Sequence, residues 1–180
     1  VTLISSEGNE FKYLPHINEA LRNLPLWATE LDGELYCHGQ DFSVIHGICS
    51  RKVNPHPEAG LIEYHIFDII NDQTQYSRVR QMDSLRDLVH QKHLDEELKV
   101  LGCTLVYGLD TIMSIFEDYI TSGYEGFILR NGEALYSRKR STNIMKFKPH
   151  KEDVYEILGT QEEISIDGKP KNSLGAIICR

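Results

Sequence analysis

The chain has 180 residues, 41% hydrophobic and 26% charged, with a formal net charge of -8 at pH 7. These values describe an ordinary globular protein, long enough for one well-buried domain and part of another, and exclude a chain that coats nucleic acid non-specifically. It has neither an apolar run long enough to span a bilayer nor a charged segment leading into an apolar one, so no membrane span and no secretion signal is expected.

The chain begins at Val1, and residues 1–4 read as a strand with no turn chemistry before it, which reads as a chain cut inside an element. Ser5 to Asn9 is a polar turn, and a short helix follows Pro15, with Ile17, Ala20, Leu21 and Leu24 at helical spacing and Pro25 ending it. Residues 26–37 read as two strand-like runs meeting at Asp32-Gly33, with Glu34 a carboxylate among β-formers. Phe42, Ile45, Ile48 and Cys49 recur at helical spacing behind a cap-like Asp41, and the prolines and glycine of residues 53–60 require a loop.

Residues 61–70 alternate strongly. Ile62, Tyr64, Ile66 and Asp68 share one face, while Glu63, His65 and Phe67 share the other. A helix is expected to start near Ser84 with Leu85, Leu88 and Val89 inward, and residues 98–107 read as a strand interrupted at Gly102. Asp110 or Thr111 is expected to cap a helix whose apolar stripe runs through Ile112, Ile115, Phe116, Tyr119 and Ile120, with Gly123 at its end. Beyond Lys151, residues 153–159, 164–169 and 174–179 read as strands and a turn.

Cys37, Cys49, Cys103 and Cys179 are scattered without a CxxC pair, which indicates neither a zinc ribbon nor a disulfide framework and points to a reduced, intracellular protein. His38, His46, His56 and His65 lack the spacing of a helical or strand ligand set, so metal binding by histidine is not expected.

The sign of the charge inverts between Arg130 and Lys151, where seven basic residues stand against the single acid Glu133. Such an inversion in an acidic chain suits a local polyanion surface. Met145-Lys146-Phe147-Lys148 alternates, so its two ammonium groups point to one side of a strand and can grip one phosphate.

Four stretches in order then carry a resemblance: Leu31-Asp32-Gly33-Glu34-Leu35, Tyr64 to Ile70, Glu125-Gly126-Phe127-Ile128-Leu129-Arg130, and Arg140-Ser141 followed by Lys146-Phe147-Lys148. Together they resemble the third, intermediate, fourth and fifth nucleotidyltransferase motifs of ATP-dependent DNA ligases, and they cover nearly the whole chain. The resemblance implies an α+β fold of antiparallel sheets flanked by helices, an adenylation domain over residues 1–151, and the beginning of an OB-fold over residues 152–180. It also implies roles. Glu34 and Glu125 would serve the nucleotide and a Mg²⁺ ion, Phe67 would stack on adenine, and Lys146 and Lys148 would neutralise the α-phosphate of ATP. Arg138, Lys139 and Arg140 would meet DNA.

The implied reaction has three steps: a lysine is adenylated by ATP, the AMP passes to a 5′-phosphate at a nick, and the 3′-hydroxyl displaces it. The expected partner is nicked double-stranded DNA, bound by a monomer in a bacterial or viral cytoplasmic setting. Two departures bear on this. Ser6 stands where the family often has arginine, and neither Asp-Gly pair is preceded by the family's lysine, since Glu30 and Ser165 occupy that place. The chain alone is therefore expected not to complete self-adenylation. A degenerate nucleotide- or DNA-binding module, an RNA ligase or a capping-type nucleotidyltransferase are the alternatives.

Overall fold

The computed structural model describes residues 1–25, 30–149 and 154–180; the first part of the strand-like run over residues 26–37 lies partly outside them. The chain divides into two compact units, Val1–Phe147 and Lys148–Arg180. Among the described residues no helix is long and apolar enough to cross a membrane.

The first unit is built on a three-stranded sheet in which β1 (Leu31–Tyr36) pairs antiparallel with β2 (Glu63–Ile69), and β2 pairs parallel with β3 (Leu98–Val100). The other strand pairs among the described residues are antiparallel, as expected, and this one is parallel. It needs a crossover, and α3 (Gln75–Gln91) provides one, packing on both strands it connects.

The alternation of β2 sets which face is core. Ile62, Tyr64, Ile66 and Asp68 are buried, and Met82, Leu85 and Val89 of α3 bury with them, as do Leu98 and Val100 of β3. The helix α1 (Pro15–Arg22) adds Ile17, Ala20 and Leu21, the i, i+3, i+4 stripe of an amphipathic helix, with Pro15 in its first turn where a missing N–H costs nothing. The helix α2 (Phe42–Cys49) contributes Ile48 and Cys49, whose thiol is pushed up to about 11 by burial. The opposite face of the sheet, carrying Glu34, Tyr36, Glu63, His65 and Phe67, is half-buried to exposed.

Residues 1–4 form no strand; Ile4 makes a single bridge with Glu10. The strand expected over residues 98–107 stops at Val100: the Leu101 N–H still donates to the Ile66 carbonyl at 2.8 Å, and beyond it the chain leaves β2, which itself continues to Ile69. The helix expected near Ser84 starts at Gln75. Thr74 caps it by accepting from the Ser77 N–H, and the first-turn N–H groups of Gln75 and Tyr76 donate to the carbonyls of Ala134 and Gly132 at 2.9 Å. A distant loop thus supplies the acceptors that local sequence does not.

The helix α4 (Leu109–Thr121) starts at Gly108 rather than at an Asp110 or Thr111 cap. Its stripe is half-buried instead of core, with Tyr119 exposed: Phe116 stands edge-on to Phe127 and Phe147, the latter two stacked 5.3 Å apart across β4 (Phe127–Arg130) and β5 (Ile144–Phe147). The second unit is an antiparallel hairpin of β6 (Ile157–Ile164) and β7 (Pro170–Cys179), two long strands where three shorter segments are expected.

A bulge in β2, where Phe67 falls unpaired between the partners of Asp32 and Gly33, sets the register in which Glu34 faces His65. A Cβ on Gly33 would stand 2.5 Å from the His65 carbonyl oxygen and 2.6 Å from the Tyr64 ring. Gly33→Ala is therefore expected to lower the unfolding free energy by about 1–3 kcal/mol, as overpacking does, with the urea midpoint as the measurement. An unchanged midpoint would show that the close approach is relieved without cost.

Candidate functional site

The site begins with a charge buried in the core phase of β2. Asp68 is 0% exposed and accepts from Arg78 Nε at 2.8 Å, from Arg78 Nη2 at 3.3 Å, from the Ile69 N–H at 2.9 Å and from Arg130 Nη1. Arg78 is itself 2% exposed and donates further to the Gln73 carbonyl at 2.5 Å and to Gln75 Oε1 at 2.7 Å. A buried carboxylate is tolerable only when paired and hydrogen-bonded, and Asp68 is both.

Because Arg130 ends β4, this pair fastens the second sheet to the first. Residues 131–136 then run along the start of α3, with Thr74 bridging Leu135. They end at Tyr136, whose hydroxyl donates to Asp32 Oδ2 at 2.7 Å and whose ring lies under the Arg78 guanidinium at 5.6 Å. Burial, and then the hydrogen bond to the Asp32 carboxylate, raise the Tyr136 phenol above its ordinary value.

Two sheet faces meet at this junction. On β2, Phe67 is half-buried, and the Arg130 guanidinium lies 5.6 Å from its ring centroid. On the β4–β5 ladder Ile128 pairs with Lys146 and Arg130 with Ile144, so those four share a face, while Phe127, Leu129, Met145 and Phe147 share the face that meets α4. Lys146 is thus exposed on the same face as the arginine that covers Phe67. Glu34 is exposed on the Phe67 face of the first sheet, opposite His65. Beside it, Glu63 accepts from His65 at 2.7 Å and pairs with Lys99 at 3.3 Å. Burial works to raise the Glu63 carboxyl, and the hydrogen bonds from His65 and Lys99 outweigh it, leaving it below the usual range.

Glu125 is exposed, one residue before Gly126 and two before β4. The side chains of Glu34, Glu125 and Lys146 make no hydrogen bond or ion pair to another described residue, which leaves them available to a ligand. No group of three or more His, Cys, Asp or Glu side chains clusters among the described residues. Mg²⁺ needs none, because it keeps several waters and takes one or two carboxylates together with substrate phosphates; separate, free carboxylates such as Glu34 and Glu125 fit that donor set. Lys148 follows β5 and is exposed in the second unit.

The basic triplet does not act as one. Lys139 and Arg140 are exposed, whereas Arg138 commits both terminal nitrogens to Glu30, with Nη1 to Oε1 at 2.7 Å. The Arg138 guanidinium holds the Glu30 carboxyl below its ordinary value.

Motif reading passed over Arg78 and Gln75, yet a signal existed. Arg78 lies on the helical phase of Met82, Leu85 and Val89, and Asp68 on the strand phase of Ile62, Tyr64 and Ile66. Opposite charges on the core phases of consecutive elements predict a buried ion pair.

The model of the ATP dependent DNA ligase domain matches residues 1–148. The DNA ligase of African swine fever virus (strain Badajoz 1971 Vero-adapted) is 28% identical over 99% of this chain and 42% of its own length. The DNA ligase of enterobacteria phage T6 is 24% identical over 82% of this chain and 39% of its own. The chain thus spans about two fifths of the curated relatives it matches. Among solved structures, a Lig E DNA ligase superposes with a TM-score of 0.77 at 18% identity, covering 99% of this chain and 66% of that one. The Chlorella virus DNA ligase-adenylate gives 0.62 at 17% identity with the same coverage. At these identities the superpositions show the fold alone.

Two outcomes follow from the geometry. Arg78→Met leaves Asp68 with one guanidinium in place of two and is expected to destabilise the first unit by about 3–5 kcal/mol in urea unfolding; a loss below about 1 kcal/mol would mean that Arg130 alone satisfies the carboxylate. The second concerns pH. The folded Glu30 carboxyl is lowered, so its pairing stabilises above the unfolded value and is lost as pH falls through the folded one. Thermal midpoints of the parent and Glu30→Gln are therefore expected to differ at neutral pH and to converge in acid, by a small amount because the pair is exposed and screened. A gap that persists in acid would assign the effect to something other than this charge.

Proposed function

The chain belongs to the ATP-dependent DNA ligase family, and from that premise we propose that its first unit carries the nucleotide-binding half of a nick-sealing reaction on double-stranded DNA. The observation that supports this most is the meeting of the half-exposed Phe67 ring with the face of β4–β5 that presents the unpaired Lys146. A flat apolar ring suits a purine base, worth about 1–3 kcal/mol per stacked base, and an ammonium group two ladder positions from Arg130 suits its phosphates.

In this reading Phe67 stacks on adenine and Lys146 neutralises the α-phosphate. Charge that develops there as pyrophosphate leaves is stabilised electrostatically, the dominant contribution in phosphoryl-type transfer. Glu34 and Glu125 would hold Mg²⁺, which when bound supplies charge neutralisation between phosphate oxygens. Lys139 and Arg140 are free to meet DNA phosphates, while Arg138 first has to leave Glu30. No Lys-x-Asp-Gly occurs in these 180 residues, so the adenylated lysine is assigned to none of them. The hairpin of the second unit is assigned to the start of an OB-fold, and the working form to a monomer.

Calorimetry of ATP binding in the presence of Mg²⁺ tests the reading. Phe67→Ala is expected to weaken binding about 5- to 150-fold, the range one stacked base corresponds to, and Lys146→Ala to weaken ATP with its phosphates while sparing the fold. Equal affinity in the parent and Phe67→Ala would remove the base from this ring.

A further inference from the structure

We propose that Arg130 is a positioning residue for the base-binding ring: its guanidinium, anchored by Asp68 and Gln75, holds the Phe67 ring in the orientation in which the free face receives a purine. The inference rests on the nucleotide reading above and adds to it a residue whose role is to hold the ring and not to touch the phosphates.

Three observations carry it. The first is where the donors of Arg130 point. Nη1 serves Asp68 Oδ2 and lies 3.3 Å from Gln75 Oε1, and the side chain is only 16% exposed. An arginine meant to grip a phosphate turns its terminal nitrogens outward, whereas this one commits Nη1 to side chains that are 0% and 6% exposed.

The second is what the guanidinium covers. Its Cζ stands 5.6 Å over the Phe67 ring centroid, within cation–π range. One ring face is therefore occupied by protein, and the other is the face a base can use. A half-buried phenylalanine without such a cover has to give up side-chain freedom when a ligand orders it, and fixing it beforehand removes that cost.

The third is connectivity. Arg130 belongs to β4, whose Ile128 pairs with Lys146. The same side chain that covers the ring therefore sets the distance between the ring and the strand bearing the ammonium group. The covering arginine comes from the second sheet and the ring from the first, so the arrangement exists only when the two are joined.

Calorimetry of ATP with Mg²⁺ on the parent, Arg130→Lys, Phe67→Leu and the double variant tests the proposal. Lysine retains the charge opposite Asp68 and loses the planar cover, so Arg130→Lys is expected to keep the parent's circular dichroism and to bind ATP about three- to tenfold more weakly, the effect of one unfixed side chain. In the Phe67→Leu background the same change is expected to have no further effect, because the ring it supports is gone. Parent-like affinity in Arg130→Lys would overturn the proposal, as would an equal loss in both backgrounds, which would mean that the guanidinium acts on the nucleotide independently of the ring. Binding that Phe67→Leu weakens and Arg130→Lys leaves unchanged defeats this inference alone; no ATP binding by the parent defeats the nucleotide reading and this inference with it.

Discussion

The structure turns on the desolvated carboxylate of Asp68. It lies on the core phase of β2, where an unpaired charge would cost several kcal/mol, and it is compensated by Arg78 from α3, Arg130 from β4 and the Ile69 N–H. The two arginines are 10 and 62 residues away in sequence. Docking of the second sheet therefore adds a guanidinium to a charge buried in the first, and a short polar loop lies along the start of α3. That loop provides in return the acceptors for two N–H groups that a helix start leaves unsatisfied.

The same constraint makes a site of two otherwise separate surfaces. The first sheet turns its apolar face to α1 and α3 and leaves a mixed face of Glu34, His65 and Phe67. The second turns Phe127 and Phe147 to α4 and leaves Ile128, Arg130 and Lys146. Each sheet buries the side that alternates apolar and presents the side that carries chemistry. Arg130 links the two sheets, pairing with Asp68 on the buried phase of β2 and lying over the Phe67 ring on the other phase, so the ring and the strand pair that bears Lys146 are brought together as a consequence of satisfying a buried charge.

Much of this was legible in residue order. The faces of β2 follow from strict alternation and α1 from its stripe and its prolines, while the order of four short motifs singles out Glu34, Phe67, Glu125 and Lys146, which the fold leaves exposed or half-exposed. What escaped depended on distant partners. The start of α3 at Gln75 is polar and takes its hydrogen-bond acceptors from Gly132 and Ala134, so no local periodicity announces it. Residues 101–107 have strand-forming composition but form no ladder with a described strand. Arg138 read as one of three equivalent cations, and only the fold shows that Glu30, far from it in sequence, already occupies it. Arg130 was counted as charge, whereas its partners make it a structural clasp.

The most direct test of the account is nuclear Overhauser spectroscopy of the chain with AMP. The account predicts contacts between the aromatic protons of Phe67 and those of the adenine ring, accompanied by shifts at Ile128 and Lys146 on the facing strand. Base contacts confined to other residues, with the Phe67 resonances unmoved at saturating AMP, would contradict it.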